Sequence, residues 1–217
     1  FGPMWRSEAR SASMRTFTQT LAACAMMLTG ACSNADVQPI FSNGADIPAA
    51  GPRNSATVVS VFSDYRCGHC RAFHAVLEDF RRDNPDVRIV YRDWPVLGAQ
   101  SEQAARWAIA SAMQGRHAAF HDALMTTPTE MSASDMSQAA KRAGLDTDRL
   151  HRDLDMRRGA ISATLRDTDA LARSYGLQGT PGIVIGKLVI PGAIDRAALD
   201  KAVAVAFNQS SNEIEMN

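Results

Sequence analysis

The amino-acid sequence predicts an α/β fold in which a helical insertion separates a strand–helix–strand half from a C-terminal hairpin–helix half. An apolar, β-branched run at 58–62 precedes apolar residues at helical spacing over 73–80, which indicates a strand leading into a helix. A second apolar strand follows at 87–91, and two apolar runs separated by Gly186-Lys187 indicate a late hairpin. Strand, helix and strand in this order are typical of a parallel βαβ unit.

Length, composition and charge limit the class of protein. The chain has 217 residues, of which 46% are hydrophobic and 21% are charged, so it can bury the core of one ordinary globular domain. Its formal net charge is zero, and its basic and acidic residues are interleaved, which argues against a nucleic-acid partner.

The first 31 residues are predicted to be an export signal peptide. Their apolar segment, 21–32, is too short to cross a bilayer. The segment 28–32 resembles a bacterial lipobox ending at Cys32, except that Thr29 stands where an aliphatic residue is usual. Cys24 fits the lipobox pattern better but leaves a very short apolar segment, so we favour Cys32 as the lipidated first residue of the mature chain. Ordinary cleavage after a small residue, which would leave a soluble periplasmic protein, is the alternative.

Export predicts an extracytoplasmic location, in the periplasm, where disulfides persist and an N-terminal lipid would tether the chain to the membrane. Residues 32–55 are rich in Ser, Asn, Pro, Gly and Ala and are predicted to be a tether. One apolar patch within it, 37–41, could add a short strand. The folded domain is predicted over 56–207, and a flexible tail over 208–217.

The sequence Cys67-Gly-His-Cys70 falls where the first strand gives way to the first helix. Unpaired backbone N–H groups and the positive end of the helix dipole favour a thiolate here, so Cys67 is predicted to be an acidic and exposed thiol. Cys70, one turn later, is predicted to be the buried resolving thiol within disulfide reach of Cys67. His69 lies between the two sulfurs in sequence and adds a cation. Stabilising the thiolate favours the dithiol form, which makes the disulfide a better oxidant.

A zinc site and a structural disulfide are the alternatives for the Cys67–Cys70 pair. A zinc site would need further ligands, and the other cysteines, Cys24 and Cys32, lie in the apolar leader. A disulfide across two residues closes too small a loop to stabilise the fold appreciably. Redox chemistry is therefore favoured, and neither a metal nor another cofactor is predicted.

Between the second strand and the hairpin, the chain is predicted to form several short helices that pack together. The second strand ends at Trp94-Pro95, and capping residues and glycines separate the helical segments that follow. These segments are 99–114, 116–125, 132–143, 146–157 and 160–175, and the insertion covers about 97–158. The fifth segment is expected to pack on the sheet through one apolar face.

Two histidines and three methionines of the insertion could suggest a metal site. His117 and His121 stand four residues apart on a predicted helix, a spacing that can hold a metal. A partly exposed surface pair is the favoured interpretation, because nearby Cys, Asp or Glu ligands are not arranged to complete a site. Met125, Met131 and Met136 are predicted to fill the core.

The late hairpin follows the sequence Gly179-Thr-Pro-Gly182. Pro181 lies at the start of the first hairpin strand, and an X-Pro bond in such a tight turn can be cis. Gly186 comes first in the hairpin turn, as a type II′ turn requires. Asp195 then caps a last helix with one apolar face.

These motifs together resemble the DsbA-like branch of the thioredoxin superfamily. The resemblance covers roughly 57–207 and rests on Cys67-Gly-His-Cys70 at a strand–helix junction, the helical insertion, and Gly179-Thr-Pro-Gly182 before a hairpin and a helix. The segments 62–67 and 91–95 also look like the exported, lipoprotein-type members. The resemblance implies a thioredoxin-like fold and thiol–disulfide exchange.

The resemblance also implies roles for individual residues. Cys67 would be the nucleophile and Cys70 the resolving thiol, and Pro181 would lie in cis beside the disulfide. Thr180 would offer its backbone to a bound substrate strand. The partners would be unfolded or cysteine-containing exported proteins, together with a membrane redox partner that reoxidises or reduces the pair.

Two departures from the family pattern bear on the direction of the reaction. Val61 stands where many relatives carry a buried acid that helps to deprotonate the resolving cysteine, and the only nearby acid is Asp64. The Gly-His pair replaces the Pro-His of the strongest oxidases and matches eukaryotic disulfide isomerases. A dithiol oxidase is the favoured function. The alternatives are a reductase or isomerase of the same fold and a metal-binding or handover module that uses the two cysteines with His69 or His74.

Overall fold

The computed structural model describes residues 47–215, with side chains described over 47–208. The predicted signal peptide with Cys24, the predicted lipidation site Cys32 and most of the predicted tether lie outside the described residues. Within the described part of the chain, every helix is too short or too polar to span a bilayer.

Five strands form one mixed sheet, in the order β1-β3-β2-β4-β5. Strands β2 and β3 pair in parallel, whereas β1 pairs antiparallel with β3, β4 with β2, and β5 with β4. The parallel pair and the C-terminal hairpin are the two halves that the sequence predicts, and β2 joins them at the centre of the sheet. The strands are β1 (Ala49–Ala50), β2 (Val58–Ser63), β3 (Arg88–Asp93), β4 (Gly182–Ile185) and β5 (Leu188–Pro191).

Over residues 47–215, seven helices surround the sheet and form the insertion. Helices α2 to α5 make up the insertion, and α6 follows them before the hairpin, so the predicted run of short helices is confirmed with small differences at the helix ends. A 3-10 turn over Ala112–Gln114 extends α2. The helices are α1 (Gly68–Asp83), α2 (Ala99–Ser111), α3 (His117–Met125), α4 (Ala133–Arg142), α5 (Thr147–Met156), α6 (Arg158–Ser174) and α7 (Arg196–Glu215).

Both ends of the domain differ from the sequence prediction. Strand β1 lies inside the predicted tether, where Ala49 and Ala50 pair with the outer edge of β3 and satisfy its backbone groups. The apolar patch 37–41 lies outside the described residues. At the other end, the backbone of α7 is helical to Glu215, where a flexible tail was predicted, because no Gly or Pro follows Gly192 to stop the helix.

The period of two along β2 divides the core between the two faces of the sheet. Val59 and Val61 belong to the apolar cluster that α1 and α7 cover. Phe62 points to the other face and packs with Trp94 in a cluster that includes residues of α6. The insertion has a core of its own, in which the three methionines predicted as filler are buried: Met125, Met131 and Met136.

Asp64 connects the end of β2 to the start of the insertion. Its carboxylate is buried and accepts four hydrogen bonds of 2.8 to 3.0 Å, from the backbone N–H groups of Arg66, Val96 and Leu97 and from the hydroxyl of Ser101. These four donors satisfy both oxygens of the buried carboxylate. The only nearby acid noted in the sequence therefore anchors the loop that precedes Cys67.

Replacing Asp64 with alanine should lower the free energy of unfolding by about 3 kcal/mol, because three backbone N–H groups and one hydroxyl lose their acceptor in a buried site. Urea denaturation measures the change. Asp79→Ala on the exposed face of α1 is the matched control and should cost within about 0.5 kcal/mol. A loss below about 1 kcal/mol in Asp64→Ala would show that water replaces the carboxylate.

Candidate active site

Cys67 occupies the N-cap position of α1. Its backbone is extended, with φ −77° and ψ 115°, and its Sγ accepts a hydrogen bond of 3.3 Å from the backbone N–H of Cys70. The first turn of α1 contains no acidic residue that would oppose a negative charge on the sulfur. The free N–H groups and the dipole of a 16-residue helix therefore act on the Cys67 sulfur.

The start of the hairpin lies directly against Cys67. The Thr180-Pro181 peptide bond is cis, and the Cys67 Sγ–H donates to the carbonyl oxygen of Thr180 over 3.3 Å. Register explains this contact, because Phe62 near the end of β2 is the partner of Gly182 at the start of β4. The antiparallel pairing of β2 with β4 thus brings the sequence motifs 67–70 and 179–182 together.

The side chain of Leu177 packs behind this turn and leaves no room for a side chain at position 182, which is a glycine. A Cβ atom at Gly182 would lie 2.5 Å from Cδ1 of Leu177, which is closer than two non-bonded carbon atoms approach in proteins. The carbonyl of Pro181 accepts a hydrogen bond of 2.8 Å from the N–H of Gly192, which holds the turn against the end of the hairpin. Pro181 is buried and Thr180 is partly exposed, so the backbone of Thr180 is the accessible part of the turn.

The two cysteines differ less in exposure than the sequence predicts. Cys67 was predicted to be exposed, but only 7% of it is accessible, because the Thr180 carbonyl lies against the sulfur and the residue packs within the core of the insertion. Cys70 is 1% exposed, as predicted, and His69 is exposed on the first turn of α1. Both cysteines are free thiols in this structure.

The electrostatic surroundings separate the two thiols more than exposure does. The pKa of the Cys70 thiol is raised to about 12, mainly by burial; hydrogen bonds with Asp64 and Thr180 lower it, and the neighbouring Cys67 sulfur raises it. Cys70 therefore stays protonated at neutral pH. Cys67 faces the helix N-terminus instead, where a thiolate is stabilised.

Arg71 is part of this site, although the sequence analysis does not identify it. Its guanidinium donates to the backbone carbonyl groups of Tyr65 (2.6 and 2.9 Å), Met125 (3.2 Å) and Pro128 (3.3 Å). Burial lowers the pKa of Arg71, and the negative charges of Asp64 and of the two cysteine sulfurs raise it. Because this attraction is mutual, Arg71 supplies a fixed positive charge beside the thiols and also joins α1 to the insertion.

His117 and His121 do not form the partly exposed pair that their spacing suggests. They are only 5% and 3% exposed, because α3 turns them towards β3 and the turn before Cys67. Tyr65 Oη donates to Asp93 Oδ1 at 2.6 Å and contacts His121 Nδ1 at 3.0 Å, and Asp93 Oδ2 contacts His117 Nε2 at 3.1 Å. These partners make burial of the polar groups possible. Burial lowers the pKa of His121 well below its usual value, so its imidazole is neutral at pH 7.

The fold and this site define a class of protein. The sequence pattern of the family described as "DSBA-like thioredoxin domain" matches residues 58–204, and the chain belongs to that family. It is a thioredoxin-fold thiol–disulfide oxidoreductase. The resemblance noted in the sequence is thereby confirmed at the level of family, fold and enzyme class.

Individual relatives agree with this assignment. A thioredoxin-like oxidoreductase from Silicibacter pomeroyi DSS-3 has a TM-score of 0.68 and 36% identity, covering 77% of this chain and 95% of its own. The thiol-disulfide exchange protein alpha-DsbA2 from Wolbachia pipientis has a TM-score of 0.70 and 29% identity, covering 79% and 90%.

Curated relatives place the same domain in a longer chain. The chain is 31% identical over 159 residues to Na(+)/H(+) antiporter NhaA 3 from Salinispora tropica, which covers 72% of this chain but 24% of that protein. This chain therefore spans about a quarter of the length of the curated relatives that it matches.

The charge of Arg71 should speed the reaction of Cys67 with alkylating agents. Arg71→Met should slow the alkylation of Cys67 about fivefold at a pH where the thiolate is the minor form, since an interaction of about 1 kcal/mol with the thiolate changes its population by that factor. Mass spectrometry of the Cys67 peptide after timed iodoacetamide treatment measures the rate.

Two further variants show whether the effect of Arg71→Met comes from the charge at this position. Arg71→Lys keeps the positive charge and should retain most of the rate, although it loses the forked donors. Arg82→Met, at the exposed end of α1, removes an equal charge far from the sulfurs and should leave the rate unchanged. Equal rates in Arg71→Met and the unaltered protein would rule out an electrostatic role for Arg71.

Proposed function

We propose that this chain is an extracytoplasmic dithiol oxidase that introduces disulfides into exported proteins through the Cys67–Cys70 pair. One observation carries the proposal. Cys67 Sγ lies at the N-terminus of α1 with a hydrogen bond from the Cys70 N–H, while burial holds Cys70 in the thiol form. This asymmetry favours the dithiol form, and a pair that favours the dithiol form oxidises other thiols when it is a disulfide.

The reaction consists of two exchanges. A substrate thiolate attacks Sγ of Cys67 in the oxidised pair. The bond between the two cysteines breaks, a mixed disulfide forms on Cys67, and the Cys70 sulfur takes up a proton. A second substrate thiolate then attacks the substrate sulfur of the mixed disulfide and releases Cys67 as a thiolate. Two substrate thiols have become one disulfide, and their two electrons reside in the enzyme dithiol.

The high pKa of Cys70 favours this direction at the mixed-disulfide stage. To act as a reductase, Cys70 would have to lose its proton and attack Cys67, releasing the substrate thiol. At neutral pH a thiol with a pKa of about 12 is almost never ionised. Within residues 47–208, no carboxylate stands in for the missing one to accept that proton, since Val61 lies in the apolar core and the Asp64 carboxylate holds backbone donors. The mixed disulfide therefore persists until a substrate thiolate resolves it.

Charges around the motif act in the same direction. His69 is exposed on the first turn of α1, and the guanidinium of Arg71 lies beside the sulfurs. The charge of Arg71, and that of His69 when its imidazole is protonated, favour a thiolate at Cys67 and make it a good leaving group in the second exchange. In the proposed complex, Thr180 offers its backbone to an extended substrate segment that passes the sulfur of Cys67, and Pro181 holds this turn in place.

The proposed setting is the outer side of the cytoplasmic membrane. Residues 1–31 act as the signal peptide, Cys32 carries the lipid, and the segment from 32 to about 46 is the tether. A membrane redox partner takes two electrons from the Cys67–Cys70 dithiol and regenerates the disulfide. No metal or organic cofactor takes part in this cycle.

The reduction potential of the Cys67–Cys70 pair tests the direction. We expect a value nearer to that of a strong oxidase, about −120 mV, than to that of a reducing thioredoxin, about −270 mV. His69→Ala should make the potential more negative, because it removes a cation that favours the dithiol form. Equilibration with glutathione buffers, read by mass spectrometry of the alkylated Cys67 peptide, gives the potential.

Three variants accompany this measurement. Cys67→Ser should abolish the oxidation of a dithiol peptide, and Cys70→Ala should retain the ability to form a mixed disulfide on Cys67. His151→Ala, which removes an exposed histidine of α5, should leave the potential unchanged. A potential close to −270 mV, about that of thioredoxin, would instead assign the chain as a reductase.

A further inference from the structure

A second group of reactive side chains lies between α1 and α3, separate from the cysteines. His74 of α1 and His121 and Asp122 of α3 each offer a ligand atom, and these three atoms lie within 4.8 Å of one another. His74 Nε2 is 3.7 Å from Asp122 Oδ1. Among the described residues, this set of three could share a metal ion, and it includes neither cysteine. Sequence spacing pairs His121 with His117, whereas the fold pairs it with His74 from another helix.

Hydrogen bonding orients His121 as a metal ligand. The hydroxyl of Tyr65 has one proton and donates it to Asp93 Oδ1, so its oxygen accepts from the Nδ1–H of His121. This contact fixes the tautomer of the imidazole and leaves the lone pair on Nε2. A histidine that binds a metal usually donates its other N–H to such a partner, and the Asp93–Tyr65–His121 chain has that arrangement.

His74 supplies the second observation that points to a ligand. Its Nδ1 is buried and has no hydrogen-bond partner among the described residues, and its side chain is 11% exposed. A buried polar atom without a partner costs about 1–3 kcal/mol, so it is rare in a native structure. The nitrogen that faces Asp122 is the other one, Nε2, so an ion bound there would fix the orientation of the ring and place its proton on the buried Nδ1.

The donor set and its access indicate the kind of ion. Two imidazole nitrogens and one carboxylate oxygen are ligands that Zn²⁺ prefers, at about 2.0–2.2 Å, which separates ligand atoms by about 3.3 Å in a tetrahedron. The separation of 3.7 Å between His74 and Asp122 needs little adjustment. The Asp122 side chain is 49% exposed, so an ion can enter from solvent and keep a position for water.

We propose that His74, His121 and Asp122 bind one divalent transition-metal ion of the Zn²⁺ type, with a fourth position open to water. The ion would join α1 to α3 one helical turn after Cys70. It would stabilise the contact between the active-site helix and the insertion without occupying either sulfur.

The experiment uses the oxidised protein, because a Cys67–Cys70 disulfide cannot supply thiolate ligands. Competition with a chromophoric chelator measures Zn²⁺ affinity, and Co²⁺ substitution gives a visible spectrum that reports tetrahedral coordination by nitrogen and oxygen. We expect one Zn²⁺ per chain. Asp122→Asn and His74→Ala should each weaken binding at least tenfold, and Tyr65→Phe, which removes the support for His121, about tenfold.

Controls separate this site from other metal-binding groups. His151→Ala removes an exposed histidine and Asp79→Asn an exposed carboxylate of α1, and both should bind Zn²⁺ like the unaltered protein. Circular dichroism confirms that each variant is folded, and Asp122→Asn changes a half-exposed side chain without changing its shape. The proposal is overturned if the oxidised protein binds no Zn²⁺ at about 100 μM, well above the affinity of built zinc sites, or if Asp122→Asn and His74→Ala bind it unchanged.

Discussion

The contact between the Cys70 N–H and the Cys67 sulfur is the interaction on which the site depends. It exists because α1 begins at the residue after Cys67, so that the sulfur takes the place of an N-cap oxygen. Strand β2 delivers Cys67 to this position, Asp64 fixes the turn before it, and the pairing of β2 with β4 brings Thr180 to the sulfur. Two parts of the chain that are far apart in sequence, 58–70 and 180–182, thus meet at one atom.

The same geometry gives the two thiols opposite environments. Cys67 faces the positive end of a helix and the carbonyl of Thr180, whereas Cys70 points into the core, where its charged form has little solvation. The proposed oxidase function rests on this asymmetry across a single helical turn, because a pair that favours the dithiol form oxidises other thiols when it is a disulfide. Arg71 adds a cation near the two sulfurs.

Local patterns predict most of the fold, and long-range contacts account for what they miss. The period of β2, the spacing of the helices and the Cys67–Cys70 motif are visible in sequence, because each depends on residues close together in the chain. Three features of the site depend on partners that are far away in sequence. They are the contact of the Thr180 carbonyl with Cys67, the carbonyl groups that Arg71 binds, and the burial of His117 against Asp93. Polar residues usually lie at the surface, so the burial of His117 is an exception. The structure explains it, because Asp93 lies beside the imidazole and provides a hydrogen-bond partner.

The ionisation of the two cysteines in the reduced protein tests this account most directly. NMR titration of the ¹³Cβ shifts of Cys67 and Cys70 follows each sulfur separately. The account predicts that Cys67 ionises in a separate step at lower pH than Cys70, which remains a thiol throughout the range in which the domain stays folded, in line with its pKa of about 12. If both cysteines ionised together near about pH 8.5, as free thiols do, the asymmetry would be absent and the proposed oxidase mechanism would be wrong.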